Sequence, residues 1–204
     1  MSPEDAKSWF RRMTKEELGD HGERVCKSTL LASGVHYIPL TDIDNGGAPM
    51  MVGATEKIVL PDFECVAPTW TAYIDAKAKT QSVLFRMRNQ ERHGINKSNF
   101  ADYLKCTSRM RKHCGLFIVE HWRSDGETWS GALLCEAFRN IGDPIPGIPG
   151  AETPEKVYWP RKQLCELHVA EPDELVEIAK GRVRVNVGFA LEKIFNPWKQ
   201  AELF

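Results

Sequence analysis

The chain has no apolar run approaching the length of a membrane span, which excludes a helical membrane protein. Its opening, Met1 to Lys15, is polar and charged and does not read as a signal peptide. Six cysteines are scattered at Cys26, Cys65, Cys106, Cys114, Cys135 and Cys165, and none stands in a C-x-x-C pair. That excludes a dense disulfide framework and points to a reduced, intracellular protein, expected in the cytoplasm. Cys165 and His168 have a ligand-like spacing, but no second pair completes the four ligands of a closed zinc site. There is no internal repeat. The net charge is only −1, without the basic excess expected of a nucleic-acid protein.

What is present is an ordinary globular composition, 42% hydrophobic and 27% charged over 204 residues. That is enough for one domain with a real core, with room for an appendage. The charge is unevenly placed. Between Lys77 and His113 there are ten basic and two acidic residues, a net +8, and the rest of the chain carries −9. Such asymmetry is the footprint of a phosphate-binding face, although a solvated surface with a chance cluster gives the same count.

Residues 1–19 read as a helical lead, with Thr14 and Glu17 fitting a capping box and Gly19 ending it. Asp20 and Glu23 then start a second helix that runs to Ser33 and stops at Gly34, with Val25, Cys26, Thr29, Leu30 and Ser33 facing inward. A short apolar piece, Val35 to Leu40, precedes the Asn45-Gly46 turn. One strand follows Met50 and another spans Ile58 to Val66. After the turn at Pro68-Thr69-Trp70, Tyr73 to Lys79 alternates cleanly. Ile74, Ala76 and Ala78 point one way, and Tyr73, Asp75, Lys77 and Lys79 the other.

Residues 80–97 read as a basic loop. Ser98 caps a helix that ends at Gly115, with Phe100, Tyr103, Leu104, Thr107 and Met110 on one face and Asp102, Lys105, Arg109 and Lys112 on the other. Leu116 to Val119 reads as a buried strand and Thr128 to Phe138 as another. The Pro/Gly stretch 142–150 is a loop or linker. A short strand near Val157-Tyr158-Trp159, a helix from Pro172 to Lys180 and an alternating run from Arg182 to Val187 complete the chain. The expected division is a lead (1–19), a core (20–140), and a linker with a C-terminal extension packed on the core (141–204).

The chemistry centres on carboxylates. Asp75 and Lys77 lie two apart on a strand, so their side chains leave the same face. Asp62 lies on a neighbouring strand and can approach Asp75 through the Pro68 turn. Clustered carboxylates repel unless a cation joins them, and hard oxygen ligands suit Mg2+ or Mn2+. Lys77 beside them can orient or deprotonate a water and stabilise transition-state charge. Taken singly, each residue also has a structural explanation. Asp62 can simply end a strand, Glu23 can cap its helix with Asp20, and Asp75, Lys77 and Lys79 can form a solvent-facing strand side. On a wet face, replacing Asp75 or Lys77 would cost little stability. Glu64 and Glu56 are reserve ligands, and His21 and His93 are candidates to touch phosphate.

The order of helix, strands, helix and strand, with Pro61-Asp62, Asp75-Ala76-Lys77 and Gly22-Glu23 in place, resembles the PD-(D/E)XK nuclease superfamily. Gly94-Ile95 through Val119 is similar to the later helix and strand of archaeal Holliday junction resolvases. The likeness covers about residues 20–122. It implies an α/β fold, a restriction-endonuclease-like αβββαβ core with a mixed central sheet and a C-terminal extension. It implies catalytic Glu23, Asp62, Asp75 and Lys77. The metal ligands would be Asp62, Asp75, Glu23 and the Ala76 carbonyl. DNA would be the partner, held by Lys79, Arg86, Arg88, Lys97, Lys105, Arg109 and Lys112, and a homodimer would suit a symmetric substrate. The expected activity is Mg2+- or Mn2+-dependent hydrolysis of phosphodiester bonds, as an endonuclease or exonuclease, structure-specific or not. Branched, duplex and nicked DNA all stay open. The rival is an inactive module on the same fold, an inhibitor or assembly protein that binds DNA or protein.

Overall fold

The computed structural model of the chain describes residues 2–40, 50–52, 57–79, 83–85, 90–124, 129–142, 145–146 and 156–196. Among these the chain forms five α-helices, α1 (Pro3–Arg12), α2 (Lys15–Ala32), α3 (Lys97–Met110), α4 (Pro172–Ala179) and α5 (Gly188–Phe195). The strands before α3 are β1 (His36–Pro39), β2 (Met50–Val52), β3 (Lys57–Val59), β4 (Phe63–Val66), β5 (Thr71–Lys79), β6 (Val83–Phe85) and β7 (Gln90–Asn96). Those after it are β8 (His113–Ser124), β9 (Trp129–Ala137), β10 (Ile145–Pro146), β11 (Lys156–Pro160) and β12 (Cys165–Ala170). No described helix is long and apolar enough to cross a membrane.

The fold is α/β around a mixed six-stranded sheet in the order β1-β4-β5-β8-β9-β12. Only β5 and β8 run parallel; the other four pairings are antiparallel. A parallel pair needs a long crossover, and here β6, β7 and α3 lie between its two strands. A smaller sheet, β10-β11-β7-β6, and a hairpin, β2-β3, complete the architecture.

Side-chain alternation divides the large sheet into two faces. Ile74, Ala76, Phe117, Val119, Leu133 and Cys135 point to one face and share a core with α1, α2, α4 and α5. Tyr73, Leu116, Ile118 and Leu134 point to the other and pack against α3, β7 and β11. Full burial of each large apolar side chain contributes roughly 1.5–3 kcal/mol. On the first face Gly22 of α2 lies against β5. A Cβ there would sit 2.6 Å from that of Ala78, so only glycine lets the helix come this close.

Several elements depart from the sequence expectation. Gly19 does not end a helix: α2 starts at its Thr14–Glu17 capping box and runs straight through Gly19, which meets nothing within 4 Å where a Cβ would be. The lead is a separate helix, α1, with its own Ser2–Asp5 capping box. The expected strand from Ile58 to Val66 is interrupted at Leu60, Pro61 and Asp62. Within the expected basic loop at 80–97 lie β6 and β7, with β7 paired to β11. The helix expected to run from Ser98 to Gly115 instead follows Asn96 and ends at Arg111, whose φ of 52° breaks it; Gly115 lies in β8. On α3, Tyr103 and Cys106 are buried, whereas Leu104 and Met110 are exposed.

The alternating run from Arg182 to Val187 buries Val185 and Val187 without joining a sheet, and α5 follows it. The 141–204 segment adds β12 to the edge of the large sheet beside β9, and β11 to the small one. All six cysteines are free. Trp70 and Trp159 are core residues; Trp198 and Glu56 lie outside the described residues.

Candidate active site

The site forms where β4 parts from β5. β4 begins at Phe63, paired with Ile74, so β5 continues beyond its neighbour. Asp62 occupies the bend just before β4, and its carbonyl accepts a hydrogen bond from the Leu40 N–H at 2.9 Å. The Asp62 side chain takes over the ladder: Oδ2 accepts from the Ala76 N–H at 2.8 Å. The N–H and C=O of one strand residue leave the same edge, so the Ala76 carbonyl leaves on the side of Asp62.

Asp75 and Lys77 project from the α3 face of β5. Lys77 Nζ donates to Asp75 Oδ1 at 2.7 Å and lies 4.0 Å from Asp62 Oδ2. Those two oxygens are therefore no farther apart than the sum of these distances. Asp75 is not on a wet face; it is fully buried, which corrects the expectation from strand alternation. The Tyr103 hydroxyl of α3 donates to the same Asp75 Oδ1 at 2.7 Å, while Asp75 Oδ2 is buried with no partner. Sequence reading placed Tyr103 on an apolar helix face. The available signal was its hydroxyl, which must find an acceptor once the ring is buried.

Burial and then the charge of Asp75 push the Asp62 carboxyl up to about 7, against the opposing pull of Lys77 and the Ala76 N–H. Burial works against the Lys77 ammonium, but Asp75 and Asp62 outweigh it and hold its pKa above the usual lysine value. Burial, then the neighbouring Asp75, keeps the Tyr103 hydroxyl protonated well beyond the ordinary tyrosine range. Glu23 stands on α2, its carboxylate 3.4 Å from Lys27 Nζ, and its charge is felt at both Asp62 and Lys77.

Asp62, Asp75 and Lys77 are thus brought together, with Glu23 at the margin. The donor set is hard: two carboxylates sharing one lysine, a buried carboxylate oxygen lacking any partner, and a main-chain carbonyl on the same edge. It fits a hard divalent cation. Among the described residues, however, no group of three or more His, Cys, Asp or Glu side chains is close enough to hold an ion by itself.

The basic residues divide. Lys97, Lys105 and Arg109 are exposed on α3, Lys105 lying 3.6 Å from Asp102. Lys112 is not on the helix; it follows α3 and is paired with Glu64, which takes that reserve ligand out of reach. Arg92 is buried, so the +8 segment is not one continuous surface. Arg86 and Arg88 lie outside the described residues. His21 and His93 are buried and are not placed to touch phosphate. His168 contacts Glu174 at 2.9 Å rather than a metal.

No family model, curated protein or solved structure matches the chain.

The same face of the sheet extends beyond Lys77. Lys79 pairs in register with Glu120 of β8, so the two side chains point the same way. Glu120 is fully buried, 3.2 Å from His93 Nε2 and 2.9 Å from Arg161 Nε; Arg161 also reaches Glu166 at 2.9 Å. Burial pushes the Glu120 carboxyl up, but His93 and Arg161 prevail and hold it below the usual glutamate value. Spacing along the chain carries no sign of this cluster, because its members come from four separate stretches.

Proposed function

We propose that the chain is a metal-dependent nuclease with a restriction-endonuclease-like core, hydrolysing phosphodiester bonds in DNA. The observation that carries this reading is the convergence of Asp62, Asp75 and Lys77 at the point where β4 leaves β5, with one buried Asp75 oxygen left over. The arrangement of α2, β1, β4, β5, α3 and β8 supports it: three antiparallel strands, then a helical crossover to a parallel fourth, as an αβββαβ core requires.

Asp62, Asp75 and the Ala76 carbonyl would hold Mg2+ or Mn2+, with Glu23 contributing from α2. Such an ion, when bound, polarises a phosphoryl oxygen and lowers the pKa of an attacking water. Lys77 places an ammonium beside both carboxylates, where it holds a phosphate oxygen and offsets the negative charge of the transition state. Tyr103 holds Asp75 through a hydrogen bond to Oδ1, leaving Oδ2 without a protein partner. Lys97, Lys105 and Arg109 would hold the DNA backbone, giving affinity without sequence information. A dimer would present two such sites to a symmetric substrate.

The test is a panel of linear, nicked and four-way DNAs incubated with the purified protein and Mg2+, Mn2+ or EDTA. Cleavage in Mg2+ or Mn2+, abolished by EDTA and by Asp75→Asn, is the expected result. A second reading, an inactive DNA-binding module on this core, is favoured by one observation: no three-residue ligand group forms among the described residues. DNA binding with no cleavage of any substrate would replace the first reading by the second.

A further inference from the structure

We propose that the cavity at the first residues of β5 and β8 is an anion pocket for a small phosphate, inorganic or carried as a phosphomonoester, separate from the Asp62–Asp75–Lys77 site. It rests on the geometry at that end of the sheet and not on the nuclease reading.

Thr71 opens β5 and His113 opens β8, and these strands run parallel, so both begin at one end of the sheet. A cavity of about 190 Å³ lies there, lined by Thr69, Thr71, Arg111 and His113, with Trp70 and Phe195 as its apolar part. That exceeds the roughly 30 Å³ share of one water and falls short of the ~300 Å³ at which sites for drug-sized ligands begin. Trp70 and Phe195 are buried and stacked, their ring centroids 5.1 Å apart. His113 is in register with Ala72, a residue of the α5-side core, so its ring leaves the sheet on the face opposite Asp75. Thr71 precedes Asp75 by four residues of β5, roughly 13 Å.

The cations here are placed for a ligand. Arg111 holds φ at 52° where α3 ends, a left-handed conformation that suits glycine and strains other residues. An arginine there accepts strain that glycine would avoid, and it brings a guanidinium to the cavity. Neither Arg111 nor His113 has an acidic partner, or a hydrogen bond to an α3 carbonyl, among the described residues. Capping of the helix end therefore does not account for them. Lys112 also lines the cavity, but Glu64 holds its ammonium. Glu192 stands at the rim, where it accepts from the Thr69 hydroxyl at 3.1 Å. Burial and then the charge of Arg139 hold His113 below its usual histidine value, so its ring is neutral until an anion arrives. A tetrahedral oxyanion can take donors from the guanidinium, the imidazole and the exposed Thr71 hydroxyl on different oxygens, where a planar carboxylate offers only two.

The experiment follows the histidine ring protons of the purified protein by NMR across pH, in sodium phosphate and in sodium chloride of matched ionic strength, with EDTA present. The His113 signal is identified by its loss in His113→Gln. Phosphate should raise the His113 midpoint by about one pH unit, and the effect should saturate with phosphate concentration. Arg111→Gly should weaken phosphate binding roughly tenfold, read from that saturation. Its melting temperature in chloride should not fall below wild type, because glycine relaxes the left-handed turn. Arg111→Gln, which keeps the bulk, should weaken binding alike. Lys162→Gln, at an exposed lysine elsewhere, should match wild type.

An equal His113 midpoint in phosphate and chloride would overturn the pocket, as would wild-type affinity in Arg111→Gly and Arg111→Gln. Duplex DNA added to the phosphate-saturated protein should leave the shifted His113 signal in place. Displacement of the phosphate by DNA would give the cavity to a DNA strand and overturn its independence of the candidate active site.

Discussion

The two faces of the large sheet are built to opposite specifications. The face under α1, α2, α4 and α5 is apolar, and its buried ionisable side chains include a neutral histidine pair. His121 Nδ1 lies 2.9 Å from the Lys79 carbonyl, which can only accept, so His121 carries its proton there. Its Nε2 then accepts from His21 Nδ1 at 3.0 Å, and the rings of Trp9 and Phe10 enclose the pair. Burial depresses His21 to about 3 and His121 to about 4. The face under α3, β7 and β11 buries Asp75 and Glu120, each with a cation beside it, Lys77 at 2.7 Å and Arg161 at 2.9 Å. The apolar face holds its buried histidines neutral, while the other face holds the buried carboxylates of the candidate site, and one sheet carries both.

Breaking the apolar face should act on stability alone. Phe117→Ala removes a fully buried ring and should cost about 3–5 kcal/mol in denaturant unfolding. Asp62 should still titrate near 7 in the folded variant. A shifted titration would mean that the faces are not independent.

Breaking the charged face should act on chemistry first. On the proposed nuclease reading, Asp75→Asn should lower Mg2+-dependent cleavage by roughly 100- to 1000-fold, read as kcat/KM on a duplex substrate. Removing the Asp75 charge should also bring the Asp62 titration down from about 7, followed by carboxyl 13C shifts. An unmoved Asp62 midpoint would show that burial alone raises it.

The pH dependence of stability sharpens the contrast, because the two faces pull oppositely. The histidines are held neutral when folded, so below about 6.5 the unfolded chain binds protons that the fold refuses. Their part in stability falls as pH drops from 6.5 toward 4. Asp62 keeps its proton in the fold up to about 7 but loses it near 3.8 when unfolded, so its part falls as pH rises from about 4 to 7. His21→Phe, which keeps an aromatic ring between Trp9 and Phe10, should therefore reduce the acid-side loss, measured by urea unfolding at pH 4.5 and 6.5. An unchanged acid-side loss would assign it to other groups.

The smallest effect is expected outside both faces. Lys105→Ala, on the exposed side of α3, should change stability by no more than about 0.5 kcal/mol. On the proposed DNA-binding reading, it should still flatten the salt dependence of duplex binding by about one unit.

Legibility followed the range of the interactions. The alternation of Tyr73 to Lys79 placed Asp75 and Lys77 together on one face, and in β5 Ile74 and Ala76 join one core, Tyr73 the other, while Lys77 bonds Asp75. The Thr14–Glu17 box was readable because capping is decided within four residues. The break at Gly19 was misread because packing of α2 on β5 overrides a single glycine's poor propensity. β6 and β7 were missed because their residues look like a basic loop until the antiparallel β11 supplies partners. Tyr103 as a partner of Asp75 could not be read from spacing.

By itself the sequence determined the local frame: which strand carries the paired acid and lysine, which helices precede and follow it, and that basic charge gathers between Lys77 and His113. Periodicity, capping and turn chemistry act between near neighbours and leave their mark in the order of residues. The tertiary structure alone decided that Asp75 is buried rather than wet, that Asp62 replaces a missing strand at the Ala76 N–H, and that the C-terminal third adds β11 and β12 to the two sheets. Those outcomes depend on where β4 stops and which strand covers which face. They arise from contacts between residues far apart in the chain, set by packing and desolvation, which no short stretch of sequence encodes.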